Sequence, residues 1–325
     1  VGAGEATIHP GAVSVLGDYF APSEMVRPLS VYMMGPYLGA GIAMIFGAQV
    51  LEWTTEMDVI YLPVLGEISA WQLTFISVGL PGFLIAGLFL TIAEPKRTGR
   101  TLESQSVPSW SQIIAYIISK RSVYAAIILG NSSLIIVLYG LQSWVPTMLL
   151  RVFEWDLIQS GRIYGVVALI SGSAGVLSGP FAVRYLERRD QKAAALCVAM
   201  AAATISAIFL AILAFSPSAE LALTCVSIAS FFVTFPLAGT TSAIIVVTPN
   251  EMRGVITALY VVITSVFGLV LGPTLVAAST DFIFQDSNAV AKSLGLVGIL
   301  VLPVGIALMW NGSEDFETAR KSAMS

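Results

Sequence analysis

The sequence predicts an all-α polytopic membrane protein, on three observations. Hydrophobic residues make up 56 % of the 325 residues and charged residues only 11 %, whereas a soluble domain carries about 25 % charged residues. Apolar stretches recur at close to the roughly 20 residues that a helix needs to cross a ~30 Å hydrocarbon core. The longest polar stretches, near 52–71 and 94–121, are too short for an independent core. The nine predicted spans are 1–20, 30–51, 72–93, 122–148, 160–186, 192–215, 219–247, 252–279 and 289–310.

Composition argues against several other classes of function. The net charge of −4 and the lack of a long Lys/Arg run argue against nucleic-acid binding. Cys197 and Cys225 both fall within apolar spans, which favours simple packing over a disulfide or a metal site. The sequence contains no metal-binding cluster, nucleophile triad or phosphate-binding loop. We therefore predict no enzyme and no cofactor, and we look for function in polar side chains that face the interior of the bundle.

Basic residues in the loops predict the orientation. Loops alternate between two sides, and three of the 16 basic residues, Arg151, Arg162 and Lys292, fall on one side. The positive-inside rule places the other side, with the C-terminus, in the cytoplasm. The expected location is the plasma membrane, or the inner membrane in a bacterium. Glu52, in a loop on the non-cytoplasmic side, is expected to be simply solvated. The 13 remaining basic residues are Arg27, Lys96, Arg97, Arg100, Lys120, Arg121, Arg184, Arg188, Arg189, Lys192, Arg253, Arg320 and Lys321.

Two loops on the basic side resemble each other. Residues 21–27 read APSEMVR and residues 248–254 read TPNEMRG. Chance similarity of a short turn is one explanation, and a duplicated bundle, as in many secondary transporters, is the other. With a duplication, four spans lie between the central linker and the second loop but only one precedes the first loop. The expectation is then a twelve-span parent with three further spans before Val1.

The repeat also predicts the domain organisation. Residues 1–93 form three spans of an N-terminal bundle, 94–121 a cytoplasmic linker, 122–310 a C-terminal six-helix bundle and 311–325 a cytoplasmic tail. Apolar residues recur at helical spacing within the linker, which predicts a helix along the membrane surface. These residues are Trp110, Ile113, Ile114, Ile117 and Ile118.

Glu5 is the most pointed functional candidate, because a carboxylate near mid-membrane is costly unless it is protonated, paired or facing a cavity. His9, the only histidine, lies four residues on and on the same helical face. We predict that Glu5 takes up a proton or gates substrate and that His9 tunes it. The alternative is a structural Glu paired with an upstream Arg and a His that merely fills space.

A second group of polar side chains is predicted to line a substrate cavity. Interhelical hydrogen bonding is the alternative reading of these side chains. Pro236 breaks a helix beside three of them, where a neighbour or a cavity must satisfy the freed carbonyl. The glycine pairs 35/39 and 268/272 predict close helix packing. The candidates for the cavity are Tyr32, Tyr37, Asn131, Tyr139, Gln142, Thr234, Thr240 and Thr241.

Several motifs resemble one known family. Residues 2–6 (GAGEA) resemble the G-x-G-E-A pattern in the fourth helix of spinster-like proteins of the major facilitator superfamily. The order of the further motifs adds specificity, since organic-anion symporters share the first. The family pattern G-x-x-x-D-R corresponds to residues 179–184 (GPFAVR) here. Val183 therefore stands where the family has an acid that is thought to latch one conformer. Pro28 interrupts the usual basic run after Arg27. The further motifs are 78–82 (VGLPG), 94–97 (EPKR), 248–254 (TPNEMRG), 272–275 (GPTL) and 280–281 (TD).

The resemblance implies the major facilitator fold, with nine of its twelve transmembrane helices present, and a secondary transporter that works by alternating access. It implies an amphiphilic substrate such as a lysophospholipid or a sphingoid phosphate, coupling to protons, and contact with membrane lipid. It also implies conformational-gate loops that carry Arg27, Arg184, Arg188 and Arg253. The alternatives are a small organic-anion symporter and, in another class, a non-transporting membrane scaffold or an inactive fragment.

Overall fold

The computed structural model describes residues 11–12, 15–16, 19–20, 26–54, 60–62, 66–91 and 109–324. Nine helices and one small hairpin account for nearly all of these residues. The predicted span 1–20 lies largely outside them, and so do both predicted proton-site residues, Glu5 and His9.

The helices follow the apolar stretches of the sequence. Eight of the nine are long and apolar enough to cross a membrane, which confirms the predicted all-α membrane fold for the spans from 30–51 onwards. The exception is α3, which has ten residues. The bounds are α1 Val26–Thr54, α2 Ala70–Phe89, α3 Trp110–Ser119, α4 Arg121–Phe153, α5 Leu157–Glu187, α6 Ala194–Leu213, α7 Ala219–Val247, α8 Glu251–Phe284 and α9 Val290–Met324.

Contacts near the helix ends agree with the predicted alternation of the spans. Near one end of the bundle Arg162 of α5 pairs with Glu52 of α1, and near the other end Arg320 of α9 pairs with Glu187 of α5. We call the end of the bundle that carries residues 184–192, 248–253 and 320–321 the basic end, and the other end the opposite end.

Two segments differ from the simplest reading of the sequence, and a third agrees with it. Helix α9 does not end near residue 310 but continues to Met324, because Phe316 and Glu317 of the predicted tail are buried against the bundle. The loop after α1 contains a hairpin, in which β1 (Ile60–Leu62) pairs antiparallel with β2 (Gly66–Ile68). The linker forms the predicted helix α3, whose N-terminus is capped by Ser109.

The core lies among α4 to α9, and α4 runs through its middle. Leu134, Leu141 and Met148 of α4 have no exposed surface, nor do Leu213 of α6 and Leu302 of α9. Helix α1 packs along α5, and α2 packs on α1 with most of its apolar side chains exposed. Apolar side chains on the outside of the bundle are what a surface in contact with lipid requires.

Glycine packing departs in part from the prediction. A Cβ atom built on Gly272 would lie 2.6 Å from the carbonyl oxygen of Ile136, and one on Gly268 would lie 2.6 Å from the Tyr139 ring. That pair therefore allows α8 to approach α4, as predicted. For Gly35 and Gly39 the described residues do not show the predicted close packing, because none of them lies within 4 Å of a Cβ atom built on either glycine. Close approach by α1 occurs instead at Gly41.

Candidate functional site

Four polar side chains from three helices meet inside the bundle, and we call them the polar cluster: Asn131, Thr240, Thr241 and Tyr260. The Asn131 amide nitrogen donates to the Tyr260 hydroxyl over 2.7 Å, and the Thr240 hydroxyl donates to the Asn131 carbonyl oxygen over 3.2 Å. The hydroxyls of Thr240 and Thr241 both interact with that of Tyr260. All four side chains are buried, so the cluster is a hydrogen-bonded core between α4, α7 and α8.

The helix lengths place this cluster near the middle of the membrane. Asn131 lies ten residues into α4, Thr240 seven residues before the end of α7 and Tyr260 nine residues into α8, all counted from the basic end. At 1.5 Å per residue these positions lie roughly 10–15 Å from that end. Because the hydrocarbon core is ~30 Å thick, the three helices bring their polar groups to one depth, about half-way across.

A break in helix α7 comes just before the two threonines of the polar cluster. Helix α7 is interrupted at Phe235 and Pro236, because proline has no N–H to continue the ladder. The helix resumes at once, since the backbone N–H of Thr240 donates to the Pro236 carbonyl over 2.9 Å. Thr240 and Thr241 therefore sit in the first turn after the break, where the backbone direction is set anew.

Two predicted aromatic residues flank the polar cluster. Tyr37 of α1 lies in the neighbourhood of Tyr139 of α4 and Tyr260 of α8. Its ring also packs on Gly172 of α5, where a Cβ atom would lie 3.0 Å from the Tyr37 ring. Tyr37 lies eleven residues into α1, about 17 Å from the basic end. One side chain of α1 thus reaches the polar cluster of the six-helix bundle at the same depth.

The other residues predicted to line the cavity either lie apart from the polar cluster or form hydrogen bonds that join helices. The Thr234 hydroxyl donates to the Gly172 carbonyl over 3.1 Å and to its own helix, so it fastens α7 to α5. Gln142 is half-buried, eleven residues from Asn131 along α4 towards the opposite end. Tyr32 is half-buried on α1, on the basic-end side of Tyr37. For Asn131 and Thr234 the structure shows the interhelical hydrogen bonds that were the alternative to cavity lining.

The sequence did not single out Tyr260. A tyrosine in an apolar span carries no special signal, because its ring packs like any other apolar group. Asn131 was a better signal that a polar partner must lie nearby, because its amide needs hydrogen-bond partners in an apolar setting. Among the described residues, the buried hydroxyls of Ser173 on α5 and Thr257 on α8 have no hydrogen-bond partner.

Helix α1 meets α5 most closely between the polar cluster and the opposite end. A Cβ atom on Gly165 would lie 2.9 Å from the Gly41 carbonyl, and one on Gly41 would lie 2.7 Å from the Gly165 carbonyl. Further along, Arg162 forms an ion pair with Glu52 over 2.7 Å. The prediction that Glu52 is simply solvated is therefore wrong: it joins α1 to α5. Both side chains remain about half exposed, at 48 % for Glu52 and 41 % for Arg162.

The loop between α7 and α8, which is the second copy of the sequence repeat, is fastened at the basic end. The Tyr116 hydroxyl of α3 donates to the Val247 carbonyl over 3.1 Å, and the hydroxyls of Tyr124 and Thr248 lie 2.9 Å apart. The Arg253 guanidinium donates to the Thr248 carbonyl over 3.5 Å, while its buried Nε has no partner among the described residues. The linker helix α3 is thus hydrogen-bonded to the segment that carries Arg253, which was predicted to belong to a conformational gate.

The other predicted gate arginines differ in their settings. Arg184 lines a cleft at the basic end of α5, and Arg188 is exposed just after α5. For Arg27 the structure describes only the backbone, which belongs to the first turn of α1. Beside Arg184, the Arg320 guanidinium pairs with Glu187 over 3.5 Å and with Glu317 over 3.2 Å. Glu317 in turn accepts a hydrogen bond from the backbone N–H of Ala193 over 3.1 Å.

Long apolar helices that enclose a polar cluster define the described part of the chain as a polytopic membrane protein. The family model of the Major Facilitator Superfamily matches residues 1–273, so this chain belongs to that superfamily. It is an integral membrane protein of a family of transporters.

Within the superfamily, the chain is similar to spinster proteins, as its motifs predicted. It is 25 % identical over 300 residues to protein spinster homolog 3 of Danio rerio, which covers 86 % of this chain and 56 % of that protein. It is 26 % identical over 208 residues to the sphingosine-1-phosphate transporter SPNS2 of Xenopus tropicalis, covering 59 % of this chain and 37 % of that protein. The chain therefore spans about half of the first relative and just over a third of the second.

Solved structures show the same fold. A crystal structure of a bacterial homolog of the human lysosomal transporter Spinster, inward-facing and unoccupied, superposes with a TM-score of 0.61 at 18 % identity. The match covers 99 % of this chain and 76 % of the other. The occupied, inward-facing form of that homolog gives a TM-score of 0.57. The likeness of these structures supports the major facilitator fold.

Proposed function

We propose that this chain belongs to a secondary transporter of an amphiphilic, lipid-like anion, such as a lysophospholipid or a sphingoid phosphate. The observation that carries the proposal is the polar cluster at mid-depth, where Tyr37 of α1 reaches the six-helix bundle. Transporters of this kind bind their substrate near the bilayer midplane, at the interface between their two halves.

The chemistry of the polar cluster suits an amphiphile. The Asn131 amide and the hydroxyls of Tyr260, Thr240 and Thr241 are hydrogen-bond donors for the oxygens of a phosphate or an ester. The rings of Tyr37 and Tyr139 give an apolar surface with a polar tip beside them. In the state that the structure describes, these donors satisfy one another, so a substrate would exchange their mutual bonds for its own.

Alternating access requires that the contact between the halves can break and reform. The contact of α1 with α5 has the composition of such an interface: small residues that allow the backbones to touch, and one half-exposed ion pair. An exposed pair contributes only about 0–1 kcal/mol, so Arg162 and Glu52 orient the two helices without locking them. We propose that rocking of α1 against α5 opens and closes the path to the polar cluster.

Coupling to protons is part of the proposal. Glu5 would carry the proton, since a carboxylate buried in the membrane favours the neutral form and ionises when a path to water opens. His9, one turn away on the same face, would tune that ionisation. The proposed orientation has the basic end in the cytoplasm, in keeping with the distribution of basic loop residues.

Transport by purified natural protein in proteoliposomes tests the proposal, with labelled lysophosphatidylcholine and sphingosine-1-phosphate as substrates. The informative variant is Tyr260→Phe, which keeps the ring and removes only the hydroxyl that accepts from Asn131. The matched control is Tyr164→Phe: Tyr164 is as buried, on α5, and makes no hydrogen bond to the described residues. We expect Tyr260→Phe to lower uptake at least tenfold, in line with one lost charge-assisted hydrogen bond.

The control variant decides how the result is read. Tyr164→Phe should leave uptake within about twofold of the wild type, since a surplus hydroxyl contributes little. Equal losses in the two variants, or full uptake in both, would contradict a substrate site at the polar cluster. If wild-type protein moves neither lipid above the level of empty liposomes, the proposed substrate class is wrong.

A further inference from the structure

A cleft of about 180 Å³ opens at the basic end of the bundle, between the ends of α5 and α7 and the start of α6. It is separate from the polar cluster. One wall is apolar and includes Val183, Ala243, Val246 and Phe316. Arg184 lies at its edge. The cleft therefore combines a surface for a hydrocarbon chain with two arginines, Arg184 and Arg320, and the carboxylate of Glu187.

Arg184 is a cation without an anion. It is half-buried, and the structure gives it no ion pair or hydrogen bond within residues 109–324 and the other described segments. The second arginine of the cleft, Arg320, differs because Glu187 and Glu317 neutralise it. Glu317 also accepts a hydrogen bond from the backbone N–H of Ala193, and both carboxylates contact Arg320 and not Arg184.

The height of Arg184 in the membrane identifies its surroundings. It lies three residues before the end of α5 at Glu187, which is about 5 Å along the helix. From so near a helix end, the long arginine side chain can bring its charge to the level of the lipid headgroups. Exposed basic side chains follow directly: Arg188, Arg189, which stacks over the Tyr185 ring at 4.4 Å, and Lys192. Asp190 is the acid among them.

We propose that this cleft binds one anionic glycerophospholipid of the leaflet at the basic end. The phosphate would pair with Arg184, and an acyl chain would lie along Val183, Val246 and Phe316. A membrane lipid is the occupant because the apolar wall continues from the cation, and a soluble anion would leave that wall uncovered. Basic clefts between helices on the cytoplasmic side of membrane proteins bind such headgroups. The bound lipid would supply the counter-ion that the described residues do not provide.

The test compares lipid binding by variants of the purified natural protein. Nanodiscs of phosphatidylcholine, with and without phosphatidylglycerol, would be analysed by native mass spectrometry for lipid that stays bound to the released protein. We expect the wild type to retain phosphatidylglycerol in preference to phosphatidylcholine. Arg184→Gln should weaken that retention about fivefold, the effect of one basic residue near an anionic surface, and Arg184→Lys should keep most of it.

Two further variants distinguish a site from general surface attraction. Arg188→Gln removes a neighbouring exposed cation outside the cleft and should change retention less than Arg184→Gln. Val246→Trp fills the apolar wall without changing charge and should also lower retention. The unfolding midpoint in phosphatidylcholine alone checks that each variant folds. Should Arg184→Gln fail to fold, Val246→Trp decides, and unchanged retention in it overturns the proposal.

Two results would overturn the proposal directly. Equal losses in Arg184→Gln and Arg188→Gln would mean that the loop attracts anionic lipid only as a diffuse charge. Displacement of the retained lipid by inorganic phosphate alone would mean that the cleft holds a soluble anion. These binding measurements do not depend on transport, so they stand whether or not the proposed substrate is correct.

Discussion

Adding one methyl group where α1 crosses α5 should separate the two helices. In Gly165→Ala, the new Cβ atom would lie 2.8 Å from the Ile45 Cγ1 atom, 2.9 Å from the Gly41 carbonyl oxygen and 3.1 Å from the Ile45 backbone nitrogen. Two of these three atoms belong to the backbone of α1, so no side-chain rotation relieves the clash. Overpacking of this kind costs about 1–3 kcal/mol.

That cost falls only on the state in which the helices touch. If α1 and α5 part during transport, the substitution shifts the equilibrium towards the parted state by roughly 5- to 150-fold. The matched control is Gly161→Ala, one turn away on α5, where the new Cβ would lie 3.6 Å from the Ala48 Cβ atom. That distance is an ordinary van der Waals contact, so the control adds the same methyl group without a clash.

Chemical cross-linking through a short spacer reports the separation. The side chains of Glu52 and Arg162 meet at 2.7 Å, so cysteines at these positions should be joined by a bis-methanethiosulfonate reagent whose spacer replaces the lost side-chain length, in a background without Cys197 and Cys225. Gly165→Ala should slow cross-linking in membranes by a factor within the range given above, whereas Gly161→Ala should leave its rate nearly unchanged. Equal rates in the two variants would refute the reasoning that the contact of Gly41 with Gly165 sets the distance between these helices.

Further outcomes follow from the polar and charged groups. Asn131→Ala should lower the free energy of unfolding by about 1–3 kcal/mol, because it leaves buried hydroxyls unpaired; an unfolding midpoint equal to that of the wild type would contradict the hydrogen bonds described. Exchanging the charges in Glu52→Arg with Arg162→Glu should restore the loss, up to ~1 kcal/mol, that each single change causes; additive losses in the double variant would speak against the ion pair. Glu5→Gln should remove the pH dependence of transport, while His9→Gln should shift its midpoint only; a wild-type pH profile in Glu5→Gln would exclude Glu5 as the proton site.

Much of the fold was predictable because the hydrocarbon core constrains sequence so strongly. Each crossing helix must be long and apolar, so eight of the predicted spans reappear as α1, α2 and α4 to α9. Helix ends were harder to predict. The continuation of α9 beyond residue 310 depends on Phe316 and Glu317 packing against the bundle, and that packing has no counterpart in hydropathy. The hairpin at 60–68 is likewise too short to leave a clear periodic signal.

The sequence indicated which polar residues were candidates for the site, but not which residues they would contact. Asn131 and Thr240 stood out because amides and hydroxyls in an apolar span need hydrogen bonds, and the structure joins them to each other. Tyr260 was missed, because its role depends on the rotation of α8 relative to α4. The same limit explains the glycines: spacing marked Gly35 and Gly39, whereas the contact with α5 occurs at Gly41. Sequence spacing gives a helix face, and only the packing of helices tells which face meets a neighbour.

Photo-cross-linking of a substrate analogue to the natural protein tests the central claim most directly. A lysophospholipid with a photoreactive group near its phosphate would be irradiated in membranes, with and without excess unlabelled lysophospholipid, and the labelled peptides would be mapped by mass spectrometry. The account predicts competable labelling of the α4, α7 and α8 segments around Asn131, Thr240 and Tyr260, and its loss in Tyr260→Phe but not in Tyr164→Phe. Labelling confined to the outer surfaces of α2 and α6, or unchanged in Tyr260→Phe, would contradict a substrate site at the polar cluster.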